Sequence, residues 1–287
     1  MDSLIQRIWD NIKEGLIEGI LERFGNIFDM VNREVGEAAV QIGRSPADWN
    51  PVIFNMIRNL SETVIIPIAG IILTFVLCYE LITMIINSNN MPSFETVMLY
   101  KWLFKTFIAI FILTNTFDIV MAVFDIAQHV VNESAGLIGG DLDVSLDIAG
   151  LEARLQAMGV WELIGLWLEM TVISLCMGAL SIAIFIVVWG RMIEIYLTVS
   201  IAPIPFSTMA NQQWGQIGNN YLKALFAVGF QGFLMMVCIA IYAALVAAIP
   251  ASPSIHAAVW GTVGYTTLLF FALLKTGSLS KNLFGTH

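Results

Sequence analysis

The chain has 287 residues, of which 58% are hydrophobic and 12% charged, against about 25% charged in an ordinary soluble domain. Its mean hydropathy of +0.81 reflects more apolar surface than a water-soluble fold can hide. A net charge of −9 and 13 Lys+Arg with no basic run argue against a direct grip on nucleic-acid phosphates.

Residues 3–35 repeat apolar side chains at helical spacing (Ile5, Ile8, Trp9, Ile12, Leu16, Ile20, Phe24, Ile27, Phe28, Val31), with Glu and Arg on the other face. Ser3 followed by Gln6 reads as a capping box. This amphipathic helix either lies on a membrane surface or packs against sister subunits. The second is favoured, because its polar face is acidic as well as basic. No basic n-region precedes an apolar core, so the first spanning segment serves as the insertion signal. Arg44-Ser45-Pro46 breaks the pattern, and Asn50-Pro51 reads as an N-cap with proline at the first helical position. The expected division is an N-terminal amphipathic region, 1–60, and a transmembrane domain, 61–287.

Residues 64–86 hold one ionisable residue, Glu80, and as a helix reach ~34 Å, enough to cross a ~30 Å hydrocarbon core. Pro67 is a candidate kink. A turn at 87–93 leads to a second span at 102–124, with Asn115 and Asp118 inside it. An acidic extramembrane loop follows at 125–160, carrying Gly139-Gly140, Asp141, Asp143 and Asp147 and a short amphipathic piece at 148–158. The third span is 163–189. Residues 190–209, with Ala202-Pro203-Ile204-Pro205, read as an extension of that helix followed by a broken or re-entrant segment, since prolines two apart do not fit a helix interior. Further spans at 222–249 and 257–274 flank a turn at Pro250-Ala251-Ser252-Pro253. The fold class is all-α and polytopic, with about five crossings. Five crossings place Lys101, Lys105, Arg191, Lys223, Lys275 and Lys281 on one side, which the charge rule assigns to the cytoplasm. The N-terminal region then lies outside and the C-terminus inside. A full crossing by 190–209 makes six spans and moves the tail to the N-terminal side.

Ionisable residues inside spans are candidates for function because lipid disfavours them. Glu80 near a helix end reads as a snorkelling side chain. Asp118 with Thr114 and Asn115 forms a polar notch facing a subunit interface or a water path. Glu169 lies near the start of the third span. Arg191 and Glu194, three apart, can pair on one helix face, as an interfacial anchor or a conduit element. Gly229 and Gly232 flank Gln231, and Gly261, Gly264 and Thr267 line a second small-residue face. Cys78, Cys176 and Cys238 read as small buried apolar residues without metal-ligand spacing. No phosphate loop, zinc-protease motif or serine-nucleophile elbow is present, so no enzyme and no cofactor is expected.

The stretches GRMIEIYLTVSIAPIPFSTM at 190–209, WGQIGNNYLKALFAVGFQGFLMMVCIAIYA at 214–243 and LLKTGSLSKNLF at 273–284 resemble the TrbL-like conjugal transfer proteins of Gram-positive conjugative elements. The amphipathic N-terminus and acidic loop agree with them in layout. The resemblance implies a channel or structural subunit of a type IV secretion machine in the cell membrane. It also implies a ring-like homo-oligomer among membrane lipids, beside cytoplasmic ATPases and a coupling protein, with relaxase–DNA as possible cargo. The family has no catalytic residues to carry over. Pro203, Pro205 and Gln231 match it as structural or conduit-lining positions. The alternatives are a small-solute or ion transporter, for which no internal repeat is found, and a non-conducting scaffold for partner proteins.

Overall fold

The computed structural model describes residues 2–87, 96–138, 148–249 and 254–286, and these contain helices and no strand. The helices are α1 (Asp2–Gly43), α2 (Pro46–Trp49), α3 (Pro51–Leu60), α4 (Ile66–Asn87), α5 (Thr96–Thr114), α6 (Thr116–Ile138), α7 (Ile148–Ala157), α8 (Val160–Ile201), α9 (Pro203–Thr208), α10 (Gly215–Ala247) and α11 (Ile255–Leu283). Among the described residues, five stretches are long and apolar enough to cross a membrane: Pro51–Ile86, Val97–Thr114, Val160–Ile201, Gly215–Ala247 and Ile255–Leu283. The chain is an all-α polytopic membrane protein. The turns expected at 87–93 and at Pro250-Ala251-Ser252-Pro253, the acidic run 139–147 and the Ser3–Gln6 side chains lie outside what is described.

The local signals at the end of α1 act as their chemistry dictates. Ser45 caps α2, its Oγ accepting from Asp48 N at 3.2 Å. Asn50 caps α3, its Oδ1 accepting from Val52 N and Ile53 N, each at 3.1 Å. Pro67 falls in the first turn of α4. The turn before it, Ser61–Ile65, is π-helical, and Ile66 N reaches back to Ser61 O. The wider turn makes room for the ring that a regular α register would force against a carbonyl, and helix runs from Pro51 to Ile86.

The expected second span, 102–124, has a one-residue irregularity at Asn115, where Asn115 N still donates to Phe111 O at 3.2 Å and Ile119 N to Asn115 O at 3.0 Å. α5 ends at Thr114 and α6 begins at Thr116. Three consecutive polar side chains bond back to carbonyls of the preceding turn: Thr114 Oγ1 to Ile110 O at 3.0 Å, Asn115 Nδ2 to Phe111 O at 2.8 Å and Thr116 Oγ1 to Ile112 O at 2.8 Å. Such back-bonding competes with the helical ladder. The irregularity falls there, and α6 carries helix on to Ile138, through residues expected in the acidic loop. α8 runs to Ile201, twelve residues past the expected end of the third span, and breaks at Ala202. Pro203 and Pro205 lack N–H donors, but α9 starts at Pro203, where the missing donors are tolerated.

The chain forms two compact units. One comprises the described residues of Met1–Ile42, Glu133–Val188 and Met235–Lys275. The other comprises Gly43–Asn132, Trp189–Leu234 and the described part of Thr276–His287. The division does not follow the expected boundary at residue 60.

In the first unit, α1 buries the stripe Ile17, Ile20, Phe24, Ile27, Phe28, Val31, Ala38 and Ile42. This part of the expected amphipathic stripe is covered within its own chain, because α8 supplies a matching face. Arg23 stacks over the Trp167 ring, 4.1 Å from its centroid, and donates to Thr171 Oγ1. Lys13 donates to Gln156 O at 2.7 Å, and Ser181 bonds to the Glu34 carboxylate. Partner numbers rise together along both segments, so α1 runs parallel to the α7–α8 stretch. Ile8, Trp9 and Ile12 stay exposed.

In the second unit, one core joins Ile57, Phe117, Val120 and Phe124 to Met192, Ile195, Tyr196 and Val199 and to Leu225 and Val228. Tyr196 seals it by donating to Pro46 O at 2.6 Å. A second core joins Ala69, Leu73, Val76 and Leu77 of α4 to Leu113 and Ala210. Cys78 is exposed and Cys176 and Cys238 are half-buried, so the cysteines are not the buried fillers expected. They stand on outward helix faces, where an apolar thiol is tolerated.

Candidate functional site

Polar side chains in this chain gather at helix junctions. The most interlocked junction, in the second unit, joins α8, α10 and α11. Arg191 on α8 is 4% exposed. Its guanidinium lies against Gly232 of α10: a Cβ there would stand 2.5 Å from Arg191 Nη2 and 2.8 Å from Cζ. Arg191 Nε has no hydrogen-bond partner among the described residues. The adjacent Gln231, also buried, faces α11, where a Cβ on Gly277 would stand 3.4 Å from its Nε2. Ser280 Oγ donates to Ala227 O at 2.5 Å, and Lys281 Nζ lies 3.1 Å from Glu194 Oε1. The glycines let three helices close around a cation. Arg191 and Glu194, read as a possible pair on one face, interact through their charges, and α11 also brings Lys281 to Glu194, a partner 87 residues distant.

Asn115 and Asp118 sit at the α5–α6 junction. Asn115 spends its amide on Phe111 O. Asp118 Oδ1 takes Arg58 Nη2 at 3.2 Å, and Arg58 Nε lies 2.8 Å from Glu62 Oε1. Pro203 and Pro205 are buried in α9, and Pro205 O would stand 2.7 Å from a Cβ on Gly218. Glu169 belongs to the first unit, with Oε2 2.5 Å from His256 Nδ1 and Oε1 accepting from Trp260 Nε1 at 2.5 Å. Arg191, Glu194 and Gln231 thus meet at one junction, while Asp118 with Asn115, the two prolines and Glu169 stand at others.

Sequence reasoning missed several partners. Arg58 and Glu62 carry a visible i, i+4 signal. No local pattern pairs Glu80 with Lys105 Nζ and Asn211 Nδ2, each at 2.6 Å, or brings Lys281 to Glu194. A Cβ on Gly261 or Gly264 would meet nothing within 4 Å among the described residues, so these glycines serve no close helix contact there. Among the described residues no three His, Cys, Asp or Glu side chains could hold a metal ion.

These pairings bear on orientation. Arg58, Asp118, Arg191 and Glu194 flank members of one core, whereas Glu80, Lys105 and Asn211 flank members of the other. From Glu62 to Glu80 along α3–α4 the rise is ~27 Å, close to a hydrocarbon thickness. Within the second unit, Lys105 thus stands with Glu80 by one core, and Arg191 and Lys281 stand with Glu194 by the other. Cysteines placed at Lys101 and Asn282, in a chain otherwise free of cysteine, are expected to take an impermeant maleimide from opposite faces of the membrane. Labelling of both from one face restores the five-crossing arrangement.

Residues 31–203 match the model of a family described as TrbL/VirB6 plasmid conjugal transfer like protein. The match covers more than half of the chain and ends at Pro203, so it overlaps the stretches that carried the sequence resemblance only at 190–203. No curated protein and no solved structure matches.

Proposed function

Since the chain belongs to the TrbL/VirB6 plasmid conjugal transfer-like family, and is thereby a membrane subunit of a conjugal-transfer, type IV secretion, machine, we propose that several copies surround an axis in the cell membrane and form part of the translocation path. The supporting observation is the charge on α1. Its outer face exposes Glu14, Glu18, Glu22, Asp29, Arg33 and Glu37. Its inner face lies along Trp167, Thr171 and Ser181, within the apolar stretch Val160–Ile201. The same stretch of α8 exposes Leu168, Val172, Leu175, Ile182, Phe185 and Ile186.

A carboxylate facing lipid at mid-depth costs about 3 kcal/mol, and there are several. The apolar side of α8 suits lipid and the acidic side of α1 does not. Turning α1 inward about an axis satisfies both, and closed rotational symmetry is the usual way to enclose a pore. An acidic lining repels phosphates, so relaxase-bound DNA as cargo passes without being held. Cytoplasmic ATPases and a coupling protein supply the energy, since no nucleotide motif is present in this sequence. The family's members are structural subunits, and this one acts by shape and charge.

Changing Glu14, Glu18, Glu22 and Glu37 together to Lys is expected to lower transfer of a conjugative element at least about tenfold, as a reversed field holds a polyanion. Membrane levels should stay normal. The protein extracted in mild detergent should have the mass of several copies and an axial opening in images. Undiminished transfer with reversed charge favours a scaffold, and a single copy per particle in native membrane discs ends the conduit reading.

A further inference from the structure

We propose that the Glu80 end of the α4–α5 hairpin holds a phospholipid, with its phosphate on Lys105 and one acyl chain in the groove between α5 and α9. The inference needs only that this hairpin lies in a bilayer, and stands apart from the conduit.

Two hollows lie there, one on each side of the Lys105–Glu80 pair. One is a polar cleft of about 340 Å³ lined by Tyr79, Glu80, Thr83 and the run Asn211, Gln212 and Gln213. The other is an apolar groove of about 300 Å³ lined by Phe104, Ile108 and Ile112 of α5 and by Phe206 and Met209. Ala109 and Ala210 leave room for it. Lys105 lines the groove and reaches Glu80 in the cleft, so charge stands where apolar lining gives way to polar.

The charges suit a phosphate ester. Glu80 gives one oxygen to Lys105 and the other to Asn211, so its negative charge is offset by the ammonium and both oxygens are engaged away from an incoming anion. The Lys105 side chain is 40% exposed, and its ammonium carries three N–H groups, of which Glu80 uses one. Lys101, one turn earlier on the same face of α5, is also exposed and adds positive charge.

The aromatic residues set the depth. Trp214 stacks between Phe75 and Tyr79, with centroids 5.6 and 5.1 Å away, and Trp102 Nε1 donates to Leu77 O at 3.3 Å. Trp and Tyr concentrate at the headgroup level of membranes. Phe104, Phe107 and Phe111 face outward from α5 below this point, as lipid contact requires. Lys105 therefore sits at phosphate depth, and the groove runs toward the bilayer interior.

The full chain, purified in detergent and stripped of lipid, can be titrated with palmitoyl-oleoyl phosphatidylethanolamine, with the matching phosphatidylglycerol, with the matching diacylglycerol and with inorganic phosphate, and followed by native mass spectrometry. Both phospholipids should bind with one site tighter than the rest, and diacylglycerol and inorganic phosphate should not fill it. Lys105→Gln should weaken that site at least about tenfold, the loss of one charge-assisted contact, and Lys105→Arg should keep it. Ile108→Trp fills the groove without touching an ion pair and should also remove the site, so a folding defect from an unpaired Glu80 is separable. Equal binding to wild type and Ile108→Trp, or of diacylglycerol and phospholipid, would mean ordinary surrounding lipid and overturn the proposal. So would saturation by inorganic phosphate alone, which would leave the groove without a role.

Discussion

Gly218→Ala is expected to destabilise the chain by about 2–3 kcal/mol, the cost of a side chain forced into a full core. A Cβ at this position in the first turns of α10 would stand 2.1 Å from Met209 Cγ and 2.7 Å from Pro205 O. The methionine can swing aside. The carbonyl cannot, because it belongs to the backbone of α9, whose φ angles are held by two prolines, and it accepts from Thr208 Oγ1 at 2.7 Å. α9 in turn packs on α4, and Phe206 meets Tyr221 edge to face at 5.8 Å. The added methyl must therefore move a helix. In a thermal unfolding series in detergent, the midpoint should fall by about 5–10 °C. Gly178→Ala is the control: nothing lies within 4 Å of its Cβ position, and alanine is the better helix former by about 0.5–1 kcal/mol. Equal midpoints for the two variants would show that α10 does not rest on the Pro205 carbonyl.

Arg191→Met should separate stability from function. Replacing a buried ionic group by an apolar one of similar length is often neutral or stabilising by about 1–4 kcal/mol. Arg191 fits that case, with its buried guanidinium, its Nε unpartnered among the described residues, and the neighbouring carboxylate of Glu194 turned to Lys281. The melting midpoint is expected to hold or rise. Conjugal transfer is expected to fall at least about tenfold, as a costly intramembrane charge marks a working position. Gly232→Ala tests the same point from the other side, since its methyl would displace the guanidinium, and it should lower transfer as well. Normal transfer in both variants would reduce Arg191 to packing.

Much of the helical framework is legible in the chain itself. The 3.6-residue stripe of α1, the caps at Ser45 and Asn50 and the proline break after Ile201 follow from side chains within a few residues of each other. The ends of the spans are less legible. Hydropathy carries 102–124 across Asn115, because one polar residue barely lowers an apolar window, whereas three successive back-bonding side chains mark the junction of α5 and α6. It also ends the third span at Trp189, ahead of Arg191, although the helix continues once Gly232 makes room for the guanidinium.

Apolar content and spacing alone made this a membrane-spanning helical chain, because lipid leaves backbone polar groups no partners outside a helix. Family membership came from residues 31–203 in the same way, as wording along one strand of sequence. Which charge meets which was decided only in three dimensions: Lys105 with Glu80, Lys281 with Glu194, Arg58 with Asp118, the acidic face of α1 left bare beside α8. Such pairings join positions 25 to 87 residues apart, and no short-range pattern encodes them. They exist because helices distant in the chain pack side by side and bring their polar side chains to shared junctions.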